Sequence, residues 1–254
     1  MLNLAGAILG MMAIAINLVA TTSALSRSLA LRLSLAAIVG AWVGLASELG
    51  SAGDLAFSPD QPVPLVGVLF AMPLLVLGAL VLTSPRVRSA LLAVPMPLLI
   101  GLNALRLLGV LFLLLAAAGR LSGPFPYSAG LGDMITGAFA IPLALSVARS
   151  RKRPVSAIAR WNIFGTLDLF AAVALGITSA GGSPLQVIHA GVGSEAMQHL
   201  PFSLVPTVLV PFYLITHAVI AAQLRALRTQ SALLQERHYA DPRTPAPSSS
   251  QPNS

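Results

Sequence analysis

The hydrophobic and polar positions divide the chain into seven long apolar runs: Asn3–Ala24, Leu29–Leu49, Pro64–Thr83, Leu92–Ala118, Ser128–Ala148, Arg160–Ala180 and Ser203–Leu224. Each is nearly continuous and ends at charge, Gly or Pro. Runs of about 20 apolar residues are what a helix needs to cross the hydrocarbon layer of a bilayer. The pattern therefore predicts an all-α fold, a polytopic transmembrane bundle of seven spans. Pro95 and Pro97 fall in the first turns of the fourth run, which predicts a late start or a kink there. Pro73, Pro142, Pro206 and Pro211 lie inside runs, where neighbouring groups can satisfy the freed carbonyl. The first run lacks the positively charged n-region of a signal peptide and reads as a span.

Composition supports a bilayer as the solvent. Only 9% of residues are charged and mean hydropathy is +0.84, against about 25% charged in a soluble domain. There is no cysteine, which excludes disulfides, thiolate metal sites and a cysteine nucleophile. The net charge of +7 is spread over short connections rather than gathered in one patch. That is a record of membrane topology and not of nucleic-acid binding. Arg27 and Arg32 flank the first connection, Arg86 and Arg88 lie in the third, and Arg149, Arg151, Lys152, Arg153 and Arg160 surround the fifth. Arg225, Arg228, Arg237 and Arg243 follow the last run. The even-numbered connections carry Arg120 and the acids Glu48, Asp54, Asp60 and Glu195. The positive-inside rule then expects the N-terminus outside and the C-terminus cytoplasmic. Lys152 is the only lysine, which points to a GC-rich bacterium and hence to the bacterial cytoplasmic (inner) membrane.

Two regions are expected: a transmembrane domain over 1–226 and a cytoplasmic tail over 227–254. "QLRALRTQSALLQERH" keeps a helical apolar spacing, so a helix is expected to continue along the membrane surface. "DPRTPAPSSSQPNS" is Pro/Ser-rich and is expected to be disordered. The sixth connection, Gly181 to Phe202, is long and Gly-rich, and a short helix or lid over the outer face is expected from it.

Ionisable groups at bilayer depth are expensive, face the bundle interior and are functional candidates. Arg106, Asp133 and Asp168 are such groups, accompanied by Asn103, Asn162, Asn17 and His217. At 1.5 Å per residue, Arg106 and Asp168 both come out about 18 Å below the outer ends of their runs, Asp133 about 8 Å and His217 about 21 Å. An Arg106–Asp168 pair is therefore expected near the midplane, with the bidentate geometry that guanidinium and carboxylate favour. Asn103 shares the face of Arg106. Asn162, Gly165 and Asp168 share a face of the sixth run, and Asp133, Thr136, Gly137 and Ala140 form a small-residue stripe on the fifth. Small residues let membrane helices approach closely, so the fourth, fifth and sixth runs are expected to pack around Arg106. The pair reads either as a structural device that sets helix register or as a small-molecule or ion site.

"AGLGDMITG" contains Gly-x-Gly-Asp, which resembles the signature of intramembrane aspartyl proteases of the presenilin and prepilin-peptidase type. That resemblance would make Asp133 and Asp168 a proton-sharing pair. Against it, the depths differ by about 10 Å. The Gly-x-Gly-Asp aspartate also comes first here, whereas in those proteases it is the later one, and the companion Pro-Ala-Leu signature is missing. A retinal lysine, a pair of haem histidines, a P-loop, a zinc motif and a nucleophile elbow are all missing too. No catalytic residue, metal or cofactor is assigned. Trp42 and Trp161 read as packing or interface anchors.

"NALRLLG", "GLGDMITG", "RWNIFGTLDL", "LPFSLVP" and "PFYLITH" together resemble a group of uncharacterised bacterial polytopic membrane proteins with no assigned activity. The resemblance spans about Asn103 to His217 and implies no ligand. The candidate site is the set Asn103, Arg106, Asp133, Asn162, Asp168 and His217. Two classes of function are expected from it. One is a small-molecule or ion binding or transport bundle with Arg106 as anion anchor. The other is a structural or accessory subunit with a membrane-protein partner. Besides these, only the lipid bilayer is an expected partner.

Overall fold

A computed structural model describes residues 1–58, 64–149 and 154–240. Asp60, Arg151, Lys152, Arg153, Arg243 and the Pro/Ser-rich end lie outside the described residues. The helices are α1 (Leu2–Leu25), α2 (Leu29–Ala52), α3 (Leu65–Thr83), α4 (Pro85–Leu92), α5 (Met96–Leu102), α6 (Val110–Ala117), α7 (Phe125–Arg149), α8 (Val155–Ser179) and α9 (Val210–Ala240). A 3-10 segment, Asn103–Gly109, joins α5 to α6, and a π-helical turn, Val205–Leu209, leads into α9. Among the described residues there is no strand, and seven helical stretches are long and apolar enough to cross a membrane.

The third connection holds a helix that hydropathy alone does not announce. Ser84 caps α4, its Oγ accepting from the N–H of Val87, and Pro85 follows at the first helical position, where no N–H is needed. Pro95 and Pro97 then delay the start of the fourth span to Met96. Gln223 on α9 donates through Nε2 to the carbonyls of Leu92 and Val94, at 3.0 and 2.8 Å. It thereby satisfies groups that the end of α4 leaves open.

The opposite end is tied together by the even-numbered connections. Phe57 N–H donates to Gln198 Oε1 (3.0 Å), Ser122 N–H to the carbonyl of Gly193 (2.9 Å), and Arg120 Nη1 to Asn3 Oδ1 (2.5 Å). The connection between α8 and α9 contributes a short 3-10 turn, Glu195–Gln198, to this cap. Consecutive spans therefore alternate in direction.

In a bilayer, lipid tails are as apolar as leucine, so spans associate through close packing and hydrogen bonds rather than through the hydrophobic effect. The buried share of each span shows where that packing is concentrated. It is 44% in Met96–Ala117 and 50% in Val205–Gln230, against 11% in α2 and 6% in α3. The fourth and seventh spans are thus the axis of the bundle, with α7 and α8 packed on them.

The π-turn shows how an intramembrane proline is accommodated. Pro211 has no N–H, so the carbonyl of Thr207, four residues earlier, loses its ladder partner. Trp42 on α2 supplies the missing donor: its Nε1 reaches that carbonyl at 3.1 Å. This indole is a hydrogen-bonding link inside the bundle as well as a packing residue.

Candidate functional site

The site begins with "NALRLLG", wound as a 3-10 helix in the middle of a span. Such segments seldom exceed three or four residues and often mark functional positions. With three residues per turn, side chains at i and i+3 stack. Asn103, Arg106 and Gly109 therefore share one face, and all three are buried. An α-helix would turn each successive member of this series by about 60°.

That face lies almost against the backbone of α7. A Cβ on Gly137 would stand 2.8 Å from the amide N of Leu107, and one on Gly109 would stand 2.9 Å from the carbonyl O of Gly130. On the far side of α7, a Cβ on Gly132 would overlap the carboxylate of Asp168. Gly137 of the expected small-residue stripe, together with Gly109, Gly130 and Gly132, which lie outside it, is therefore what allows three backbones to converge on one guanidinium.

Arg106 is 2% exposed. Its Nε donates to Asp133 Oδ1 at 2.6 Å and its Nη2 to Asp168 Oδ2 at 2.5 Å. Nη1 donates to the carbonyl of Gly165 at 3.3 Å and faces His217 Nε2 at 3.1 Å. Four of the five donors that a guanidinium owns are thus engaged. The ring of Tyr213 lies beside it, 5.8 Å from Cζ to centroid.

The state of His217 is set by these contacts. Arginine has no acceptor, so Nε2 must offer a lone pair and the ring proton sits on Nδ1. Nδ1 accordingly donates to Asn162 Oδ1 (2.8 Å), and Asn162 Nδ2 donates to the carbonyl of His217 (3.2 Å). Trp161 packs on the imidazole at 5.2 Å and donates its indole N–H to the carbonyl of Thr136. Asn103 is bound one step away, through Nδ2 to the carbonyl of Leu99 and to Thr216 Oγ1.

The structure brings Arg106, Asp133, Asn162, Asp168 and His217 into one network. Asn103 lies beside it and Asn17 reaches it through Tyr213, its Nδ2 donating to the phenol oxygen at 3.4 Å. The expected separation of Asp133 from Asp168 is not found, since both meet on one arginine side chain. The difference has two causes. α7 starts at Phe125 rather than Ser128, because Pro126 is harmless in a first turn, and this puts Asp133 about 12 Å into the helix. The long arginine side chain closes the rest. The depth objection to a protease therefore falls. The order of the two aspartates and the missing companion signature still count against it. So does the arrangement itself, in which the carboxylates meet on a guanidinium and no hydrogen bond joins them to each other.

The expected role of Arg106 as an anion anchor is also hard to reconcile with this geometry, because two carboxylates already occupy it. The accessible charge is Asp133, whose side chain is 18% exposed against 1% for Arg106. Its Oδ1 is bound and Oδ2 has no hydrogen bond. Asp133 lines two cavities. One, of ≈ 110 Å³, rises between α3, α7 and α8 toward the capped end; the other, of ≈ 60 Å³, lies toward α1 and Tyr213. The first contains a residue that sequence reasoning missed. Gln198 is 4% exposed, accepts from Phe57 through Oε1 and leaves Nε2 without a partner. A glutamine in a Gly-rich connection carries no signal of such a position. Among the described residues, no group of three or more His, Asp or Glu is placed to hold a metal ion.

No curated protein and no solved structure matches the chain. Residues 63–225 match the family described as Domain of unknown function (DUF8737). The match contains all six candidate site residues and leaves out α1 and α2. It covers well over half of the sequence, and the chain belongs to that family.

Proposed function

We propose that this integral membrane protein is a small-molecule or ion binding bundle, of the kind used in transport, and that its site is the Arg106–Asp133–Asp168 cluster. We place it in the bacterial cytoplasmic membrane, on the strength of a sequence with a single lysine, and orient its N-terminus outside from the charge bias of its connections. One observation carries the functional reading. Two carboxylates share one guanidinium, each leaving one oxygen without a hydrogen bond, and the more exposed of the two, Asp133, lines cavities. A purely structural pair is best served by one acid per base with every lone pair satisfied. A second, incompletely paired acid on a cavity wall leaves a negative charge that a bound cation, a proton or a hydrogen-bond donor can neutralise.

The test is a thermal-stability screen of the protein in lipid nanodiscs against inorganic cations, small amines and small carboxylic acids, run in parallel on Asp133→Asn. The reading expects at least one class to raise the melting temperature of the wild type and not of the variant. If no compound distinguishes the two proteins, the cluster is structural and the protein falls into the accessory-subunit class. The accessory reading draws on α3, whose apolar window is 6% buried, although lipid covers such a face without a partner.

A further inference from the structure

The larger cavity narrows the ligand class, and any assignment drawn from it rests on the binding reading of the Asp133 cluster. Its wall is apolar: Phe57, Phe70, Phe112 and Phe125 line it, with Asp133 and Gln198 among the few polar groups. Along α7 the lining runs from Phe125 to Asp133, and along α8 and the residue that follows it from Leu169 to Ala180. At 1.5 Å per residue this makes it about 12 to 16 Å long. A wall of this length and so apolar a lining suits an aliphatic chain. A bare metal ion is a poor occupant, because a hard cation asks for six or more oxygen ligands and this wall offers a single carboxylate. An anion would meet the unpaired oxygen of Asp133.

We infer that this cavity is a site for a linear primary amine, its ammonium on the free oxygen of Asp133 and its chain lying along the phenylalanine wall toward Gln198. The ammonium neutralises the charge that two carboxylates leave beyond one guanidinium. Phenylalanine faces attract a cation as it passes and solvate the methylenes behind it. At the far end the amide of Gln198, a residue of the cavity wall, is oriented by the N–H of Phe57, so that its buried Nε2 is the group left without a partner. A buried donor of this kind is matched by an acceptor oxygen, so a chain bearing a terminal hydroxyl fits better than a plain one.

The experiment measures binding of hexylamine, amino-hexanol, hexanol and hexanoate to the full chain in nanodiscs, by calorimetry and by thermal shift. The inference expects hexylamine and amino-hexanol to bind and the two chains without an amine to bind more weakly. Asp133→Asn should weaken both amines by roughly ten- to hundred-fold, the weight of a charge-assisted hydrogen bond. Gln198→Leu should weaken amino-hexanol by about three- to ten-fold and leave hexylamine unchanged. Ala172→Leu, which fills the cavity without removing a charged group, should abolish binding in a protein that keeps Arg106, Asp133 and Asp168. Equal binding of hexanol and hexylamine, or binding unaffected by Ala172→Leu, would overturn the inference. Stabilisation by inorganic cations or acids through Asp133, with no response to amines, would overturn it too and leave the broader binding reading standing. Silence of every probe would overturn both.

Discussion

A guanidinium shared by two carboxylates inside a bundle is the ion-pair partner of both. Removing the base is therefore the severest single change available. Arg106→Ala should destabilise the protein by about 3–5 kcal/mol, because it strands two buried acids. Arg106→Lys should recover only part of this. An ammonium is a point donor and cannot reach Asp133, Asp168, Gly165 and His217 together. Replacing all three charges, with Arg106→Met, Asp133→Asn and Asp168→Asn combined, should restore most of the stability lost in Arg106→Ala. Chemical denaturation in mild detergent reads all three, and a triple variant as unstable as Arg106→Ala would contradict the argument. The imidazole gives a second prediction. Nitrogen NMR should find His217 neutral with its proton on Nδ1, and a spectrum with the proton on Nε2 would contradict the contact to Arg106. At this scale much of the site is legible in the sequence. Polar residues inside apolar runs stand out, and a bilayer forces them together. Who binds whom is not legible. That depends on a three-residue shift at the start of α7 and on the reach of one long side chain. Gln198 is invisible because nothing in a polar connection distinguishes a buried glutamine from a solvated one.

The elements follow the apolar runs closely where a run is simply a helix, as in α1, α2 and α3. They depart from it where the backbone changes its winding. Hydropathy is blind to the difference between α, 3-10 and π winding, since an apolar run has the same mean hydropathy however it is wound. Neither the 3-10 segment around Arg106 nor the π-turn before α9 is therefore foreseeable from the pattern, although Pro206 and Pro211 mark the second. The tight face of the 3-10 segment predicts a contrast between glycines. Gly137→Ala must push against the Leu107 amide and should cost about 1–3 kcal/mol. Gly101→Ala meets only the Ala144 methyl, at 3.7 Å, and should be tolerated. Equal melting temperatures for the two variants would show that the helices can separate freely. The π-turn predicts a coupling. Trp42→Phe should cost about 1–2 kcal/mol by orphaning the Thr207 carbonyl. In a Pro211→Ala background, where a backbone N–H is available again, the same change should cost less. Additive effects in this double-mutant cycle would count against the indole as a replacement donor.

For the whole molecule, the absence of cysteine makes orientation directly measurable. Ser51→Cys, at the capped end, should react with a membrane-impermeant maleimide in intact cells, and Ser89→Cys, beside the arginines of α4, should react only after lysis. The reverse pattern would invert the proposed topology. The number of spans and the alternation of charge are open to inspection in the sequence, because each is a property of long segments and insensitive to local error. The capped end is less so, since it is built from single hydrogen bonds between connections. The indole of Trp42 has one more consequence. It belongs to α2, and Asn17, which holds the Tyr213 hydroxyl, belongs to α1; both lie before residue 63, where the family match begins. A protein trimmed to residues 63–225 would keep every charged group of the site. It would lose the donor that completes the π-turn and the one that positions the tyrosine beside Arg106. Such a fragment should assemble poorly on its own and recover when α1 and α2 are supplied as a separate chain, so that the border of the family and the border of the folding unit fall at different places in the sequence.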